Sequence, residues 1–471
     1  MATSAQAGNY PANFTESVVA TGLQSPSGMV VAADGRVFIG DQKGRVWVVV
    51  NDSMRSTPVL NIQAKVDYNV ERGMQGIVLD PDFAVNGFIY AFYTALKPST
   101  HNRLSRFTVV NNLADTAETI LLDLPGLPTR GSFACQNVSY CTNTTNAVWH
   151  MGGGLIFGND GKLYLGVGEH EVTSMSQSMT SMFGKVLRLN KDGSIPSDNP
   201  FYNTATGDYR AIYATGLRNP YTFGIQRSTG RIYINDVGDV TWEEVDTLTA
   251  GGNYGWGTCE GNYATASTSA ACSITGQVKP LFAYQHGITL TSRGNCAVGG
   301  DFTSNFRAQD NGKYFFADFN NTASTTAQNG WIKSVNPNTG GDTTVFATGY
   351  SNITNLRFNP SGSAMYVLTR GYNTGTIDTV GTSNKIGRVY KLTYNLATSI
   401  QNSAAYHPVQ TIGSLLVLDA RSALKVPQFA TSVRLVTLSG RVLWETRGLV
   451  PGSQFALPSH LTGGVARAVW Q

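Results

Sequence analysis

The apolar residues of this chain fall in short runs that alternate with polar positions at a period of two, and Asp-Gly, Asn-Gly and Ser-Gly pairs interrupt them. That spacing predicts strands joined by tight turns, not helices with an apolar stripe every 3.6 residues. One unit of apolar strand, turn and aromatic-rich strand recurs six times. The copies are "GMVVAADGRVFIGDQKGRVWVV", "GIVLDPDFAVNGFIYAFYT" running to "LSRFTVV", "GLIFGNDGKLYLGVGE" running to "GKVLRLN", "FGIQRSTGRIYINDVG" running to "EEVDTLT", "GGDFTSNFRAQDNGKYFFADF" running to "GWIKSVN", and "LRFNPSGSAMYVLTR" running to "GRVYKLTY". A sheet built from one copy cannot cover both its faces alone, whereas six packed radially about an axis can. The predicted fold is all-β, a six-bladed β-propeller.

After "GRVYKLTYN" the texture changes. The segment "LATSIQNSAAYHPVQ" is polar and reads as a linker, and the remainder alternates strongly around a Ser439–Gly440 hairpin turn, which predicts a small C-terminal β-sandwich. The predicted organisation is an N-terminal extension over 1–17, the propeller over 18–394, a linker over 395–410 and the β-sandwich over 411–471. In a propeller the inner strand ends of distant blades converge on one axial pocket, so residues far apart in the chain can share a site.

Composition narrows the partners. A charged fraction of 14%, 51 glycines and a formal charge of +4 over 471 residues leave no run of Lys and Arg interleaved with aromatics, so neither nucleic acid nor an anionic membrane surface is indicated. No stretch reaches the roughly 18 continuous apolar residues of a membrane span. The opening "MATSAQAGNYPANF" has no apolar signal core and reads as a mature end behind an added Met. Cys135 with Cys141 and Cys259 with Cys272 suit loop disulfides, and Cys296 is left as a buried thiol. No CxxC occurs and no His stands at ligand spacing from either pair. Two disulfides and an Asn/Thr/Ser-rich surface point to an exported protein, secreted or held at a bacterial cell surface or periplasm.

Three constellations can carry chemistry. His150, ahead of three glycines in "VWHMGGGLIFGNDGKLYLGVGEHE", could take a proton from a bound alcohol if a second group fixed its tautomer. Glu169 is the candidate for that group, because a strand–turn–strand excursion can return it to His150; a hydrogen-bonded structural histidine is the alternative. The three glycines would let a planar ligand approach the backbone. Arg218 and Asn219, in "GLRNPYTFGI", could present a guanidinium and an amide to an anionic or carbonyl-rich ligand. Asp236, Asp239, Glu243, Glu244 and Asp246 concentrate carboxylates in blade four and suit a hard cation such as Ca²⁺, although Glu243, Glu244 and Asp246 also fit a solvated acidic face.

Taken in order, "ERGMQGIVLDPDF" (71–83), "HMGGGLIFGNDGKLYLGVGE" (150–169), "MFGKVLRLNKDGSIPSDNPF" (182–201), "GLRNPYTFGI" (216–225), "EEVDTLTAGGNYGW" (243–256) and "GKYFFADF" (312–319) make residues 18–394 resemble the glucose/sorbosone dehydrogenase family. These are soluble six-bladed propellers that use pyrroloquinoline quinone and calcium. The resemblance implies that His150 is the general base for a sugar or polyol hydroxyl, with Glu169 as its orienting carboxylate. It implies that Glu71 lies near substrate, that Arg218 and Asn219 face the quinone carbonyls, and that Gly238 and Asp239, beside Asp236, hold the calcium. That ion would polarise the quinone as a Lewis acid. The tail resembles the C-terminal sorting domains of some exported Gram-negative proteins, which would make secretion machinery a partner; an ordinary accessory sandwich is the other reading.

The chain also departs from the family. Quinone-dependent members carry a lysine in blade five and arginines at the start of blade six, where the cofactor's carboxylates need cations. Here the blade-five loop has no lysine before Lys333, and Asn352 and Thr354 stand at the arginine positions, with Arg357, Arg370 and Lys385 nearby as replacements. The leading expectation is an exported, calcium- and quinone-dependent sugar or polyol dehydrogenase. With no CxxCH haem motif, it would pass electrons to an external acceptor. The alternative is a quinone-free propeller that binds glycans or a cell-surface partner; hydrolysis by His150 with a partner such as His170 ranks last.

Overall fold

The computed structural model describes residues 8–129, 146–287, 294–319, 330–370 and 387–395, and beyond residue 406 a set of strands with parts of their connections. The chain divides into two compact units, one holding Glu16–Thr393 and the other Tyr394–Gln471 with Ala12–Thr15.

Among the described residues, six antiparallel sheets of four or five strands and one two-stranded ribbon form the first unit. The innermost strands of the six larger sheets are Pro26–Val31, Met74–Leu79, Leu155–Phe157, Pro220–Gln226, Ala297–Phe302 and Ile353–Phe358. Each packs against the next, and the sixth packs against the first, so the ring closes as a six-bladed propeller. The N-terminal strand Phe14–Leu23 joins the sixth sheet as its outermost member, beside Gly387–Tyr394. Sequence pattern had assigned the start of that strand to the N-terminal extension, because a lone outer strand far from its sheet carries no repeat signal of its own.

The period of two explains why the blades hold together. In Phe88–Ala95, Ile89, Ala91 and Tyr93 pack toward blade one, while Tyr90 and Phe92 pack toward blade three. The strand is therefore apolar at nearly every position, as a strand covered on both faces must be. Ile232 and Ile234 likewise face blade three, and Tyr233 faces blade five with Phe316 and Trp331. Each such fully buried side chain contributes about 1.5–3 kcal/mol.

The second unit contains a three-stranded sheet of His407–Pro408, Ser422–Lys425 and Gln454–Ala456, and a five-stranded sheet of Gln410–Ile412, Leu415–Leu418, Gly464–Trp470, Ser432–Val436 and Val442–Arg447. Val433 pairs with Thr446 and Leu435 with Trp444 in an antiparallel hairpin. Its Ser439–Gly440 turn lies outside the described residues, as does the pair Cys135 and Cys141. Cys259 and Cys272 are joined as a disulfide. Among the described residues no helix is long and apolar enough to cross a membrane.

Candidate active site

Among the described residues, two cavities gather the ends of the inner strands. One, of about 920 Å³, is lined by the far ends of the inner strands and the turns after them. The other, of about 400 Å³, gathers the near ends: Glu71 and Gln75, Trp149 and His150, Arg218 and Asn219, Cys296, and Thr354. Small-molecule sites span roughly 300–1,000 Å³, so volume does not choose between them. Chemistry does, because the smaller one collects His150, Glu71, Arg218, Asp239 and Arg370.

His150 has a left-handed backbone, φ 58°, a conformation that a non-glycine residue holds only where its surroundings impose it. The surroundings are side chains from three other segments. Glu171 Oε2 accepts the N–H of Val148 at 2.7 Å and that of Trp149 at 3.4 Å. Glu71 Oε2 accepts the N–H of His150 at 2.6 Å, and Asn219 Oδ1 accepts that of Gly152 at 2.9 Å. Glu169 Oε1 contacts His150 Nδ1. An ionised carboxylate can only accept, so Nδ1 carries the proton and Nε2 is left as the basic atom. Glu169 is 1% exposed, and its Oε2 has no hydrogen-bond partner.

The glycines are required by close packing of the chain itself. At Gly152, φ 77°, a Cβ would stand 2.4 Å from the carbonyl oxygen of Gly166, and at Gly154 one would stand 2.6 Å from the Phe223 ring. They let strands and blades approach one another. At Gly168 a Cβ would lie 1.9 Å from the His150 carbonyl oxygen, so this glycine is what permits His150 its seat.

Arg218 Nη2 pairs with Asp239 Oδ1 at 3.0 Å and Nη1 donates to the Val237 carbonyl at 3.2 Å. Its guanidinium lies 5.3 Å from the Trp256 ring centroid. Asp236 is turned away from the cavity wall. Its Oδ2 accepts the N–H of Arg218 at 3.0 Å and its Oδ1 that of Asn219 at 2.7 Å, and burial raises it to about 7. Gly238 and Asp239 line the cavity. Thr354 and Arg370 line it as well, but Asn352 does not; its carbonyl instead accepts the N–H of Arg370 at 2.9 Å. Arg218 Nε, Arg370 Nε and Thr354 Oγ1 are buried without a hydrogen-bond partner. Three orphaned donors on residues that line one cavity suit an anionic or carbonyl-rich ligand, since each is costly until something accepts from it.

The other cations stand elsewhere. Arg357 donates to the Gly300 carbonyl and lines the larger cavity. Lys333 is buried 4.0 Å from the Trp331 ring centroid, and desolvation lowers it to about 8. Lys385 lies outside the described residues.

Two further expectations are corrected. Cys296 is half-buried and lines the cavity, not the core; burial and the neighbouring carboxylates Glu243 and Asp318 raise its thiol. Glu243, Glu244 and Asp246 form no solvated face, because all three are buried. Glu243 accepts from His286 Nε2 at 2.6 Å and from the N–H groups of Ala297 at 2.7 Å and Gly238 at 3.2 Å. Both oxygens of Asp246 lack a partner. Burial, then the Glu244 and Asp236 charges, push Asp246 well up. Among the described residues no three His, Cys, Asp or Glu side chains converge as a metal cluster.

Sequence reasoning missed Trp149, Gln75, Tyr221 and Asn295 as wall residues. Gln75 and Tyr221 stand inside the motifs quoted above, four residues after Glu71 and two after Asn219. Asn295 had no such signal.

The Glucose / Sorbosone dehydrogenase family model matches residues 23–310. HIPL2 protein of Arabidopsis thaliana is 29% identical over 357 residues, covering 63% of this chain and 51% of that protein. Quinoprotein glucose dehydrogenase B of Acinetobacter calcoaceticus is 28% identical over 293 residues, covering 55% and 57% respectively. The chain thus matches about half the length of these curated relatives. In fold it is similar to the PQQ-bound form of aldose sugar dehydrogenase from Streptomyces coelicolor, with a TM-score of 0.61 at 23% identity over 82% of this chain and 99% of that one. The chain belongs to the glucose/sorbosone dehydrogenase family.

Proposed function

We propose that this protein oxidises a sugar or polyol hydroxyl in the 400 Å³ cavity with pyrroloquinoline quinone and calcium, His150 acting as general base. The observation that carries this reading is the His150–Glu169 pair at a cavity that Arg218, Arg370 and Thr354, each with an unsatisfied buried donor, also line. Those donors and the Asn219 amide would hold the quinone's carboxylates and carbonyls. The carbonyls of Gly238 and Asp239 would face calcium, whereas Asp236, committed to two peptide N–H groups, would act from behind them. When bound, the quinone supplies an electron-pair sink that takes hydride from a carbinol C–H bond, and calcium polarises it.

The protein's own part is the proton. His150 Nε2 takes the hydroxyl proton as the carbinol carbon becomes a carbonyl, and Glu169 stabilises the imidazolium and keeps its orientation. Glu71, with one oxygen on the His150 N–H, lines the cavity where a sugar hydroxyl would lie. An external acceptor reoxidises the cofactor. The disulfide fits an exported setting, at the cell surface, in the periplasm or beyond, with the C-terminal unit engaging secretion machinery. Titration of the calcium-loaded protein with the quinone, followed by an aldose panel with a dye acceptor, tests the reading. Absence of quinone binding would leave the alternative of a propeller that binds glycans or a cell-surface partner.

A further inference from the structure

The loop between Val237 and Trp242 carries Gly238 and Asp239 into the cavity, yet most of its own peptide N–H groups point to carboxylates. Glu260 Oε1 alone accepts three of them, from Asp239 at 2.7 Å and from Thr241 and Trp242 at 3.1 Å each. Glu260 is 1% exposed. It follows Cys259, whose disulfide to Cys272 closes the excursion. The short strand Cys259–Glu260 pairs with Tyr263–Ala264, and the Tyr263 ring stacks on Trp242 at 5.2 Å. Trp242 Nε1 donates to the Ser267 carbonyl at 2.9 Å, and a Cβ at Gly261 would press on the Trp242 ring at 2.9 Å. The disulfide-closed excursion therefore clasps the loop at both its backbone and its one large side chain.

We propose that Glu260, braced by the Cys259–Cys272 disulfide, is a positioning residue that sets the Val237–Trp242 loop, and through Asp239 the Arg218 guanidinium, for the ligand of the cavity. A carboxylate that gathers three N–H groups turns the loop's peptide dipoles so that its acceptors are available on the other side, and by holding the Asp239 N–H it sets the backbone from which the Asp239 side chain pairs with Arg218 at 3.0 Å. Glu260 does not line the cavity, so it acts through the loop. The ligand's identity rests on the reading under Proposed function; the positioning role does not.

The test compares wild type, Glu260→Gln and Glu260→Ala as full-length proteins, well below each variant's unfolding temperature. Hydrogen exchange is read over peptides spanning 237–242 and 216–219, and affinity for pyrroloquinoline quinone with calcium by calorimetry. Glu260→Ala is expected to lose protection in both peptides and to bind the quinone roughly 10–100-fold more weakly. Glu260→Gln, which keeps an acceptor at Oε1, is expected to recover most of both. If folded Glu260→Ala keeps wild-type protection in 237–242, or loses it with no change at 216–219, the proposal is overturned. If wild type itself does not bind the quinone, the functional reading falls and the exchange data alone decide the role of Glu260.

Discussion

Glu71 accepts the peptide N–H of His150 at 2.6 Å from 79 residues away in the chain. One carboxylate thereby clamps the backbone of the proposed base while another, Glu169, holds its ring. The two contacts separate where His150 sits from which proton it carries.

In the proposed reaction, removing the imidazole removes the acceptor for the hydroxyl proton. His150→Ala is expected to lower kcat by about 10²–10⁴-fold while quinone affinity, measured by calorimetry, stays within a few-fold of wild type. Quinone-dependent turnover that survived in this variant would exclude His150 as the base.

Steric room at Gly168 is a separate requirement. Gly168→Ala places a methyl 1.9 Å from the His150 carbonyl oxygen, which backbone must move to relieve. The expected cost is about 1–3 kcal/mol in urea unfolding, with loss of activity. Wild-type stability together with wild-type activity would show that the segment around His150 adapts freely.

His170 is fully buried against Phe183, its Nε2 at 2.9 Å from Asn102, and burial lowers it to about 3, with His150 and Arg72 adding to the effect. Its folded pKa lies below its unfolded one near 6.5, so between those values the unfolded chain holds a proton that the folded chain refuses. Stability from this residue is complete above pH 6.5 and falls by about 1.4 kcal/mol for each pH unit on the way down to about pH 3. His170→Gln, neutral throughout, is expected to show a pH dependence of unfolding free energy shallower by one proton over that window. Identical slopes for variant and wild type would refute the assignment.

Arg370 lines the cavity, and in the proposed reading it takes the place of the family arginines. Its Nη2 donates to Gln42 at 2.9 Å, leaving Nε unsatisfied at the cavity wall. Arg370→Ala is expected to weaken quinone binding by roughly 2–5 kcal/mol, whereas Arg357→Ala, in the other cavity, should leave affinity unaltered.

The propeller was legible because each blade writes its own strand, turn and strand into consecutive residues, and both-face burial makes strands such as Phe88–Ala95 almost wholly apolar. The pairing of His150 with Glu169 could be read as well, since one local hairpin brings them together. What resisted reading depends on the closure of the ring. Thr354 lies in the strand Ile353–Phe358 and lines the cavity, whereas Asn352 precedes that strand with a left-handed backbone, φ 54°, and does not. Arg370 enters from the end of the neighbouring strand in the same blade. Glu243, Glu244 and Asp246 look solvent-facing in sequence because carboxylates usually are; only packing against blade five shows Glu243 satisfying Ala297 and Gly238 from inside.

Calcium removal bears on the same site. Chelator is expected to lower the unfolding temperature and quinone affinity together, since an ion bound only by the folded protein stabilises it. An unfolding temperature indifferent to chelator would remove calcium from the account.

The most direct measurement is calorimetric titration of the calcium-loaded protein with pyrroloquinoline quinone, followed by addition of aldoses with a dye acceptor. Tight one-to-one binding and sugar-dependent dye reduction are the expected result. No binding, with the protein folded and calcium present, would contradict the dehydrogenase reading outright.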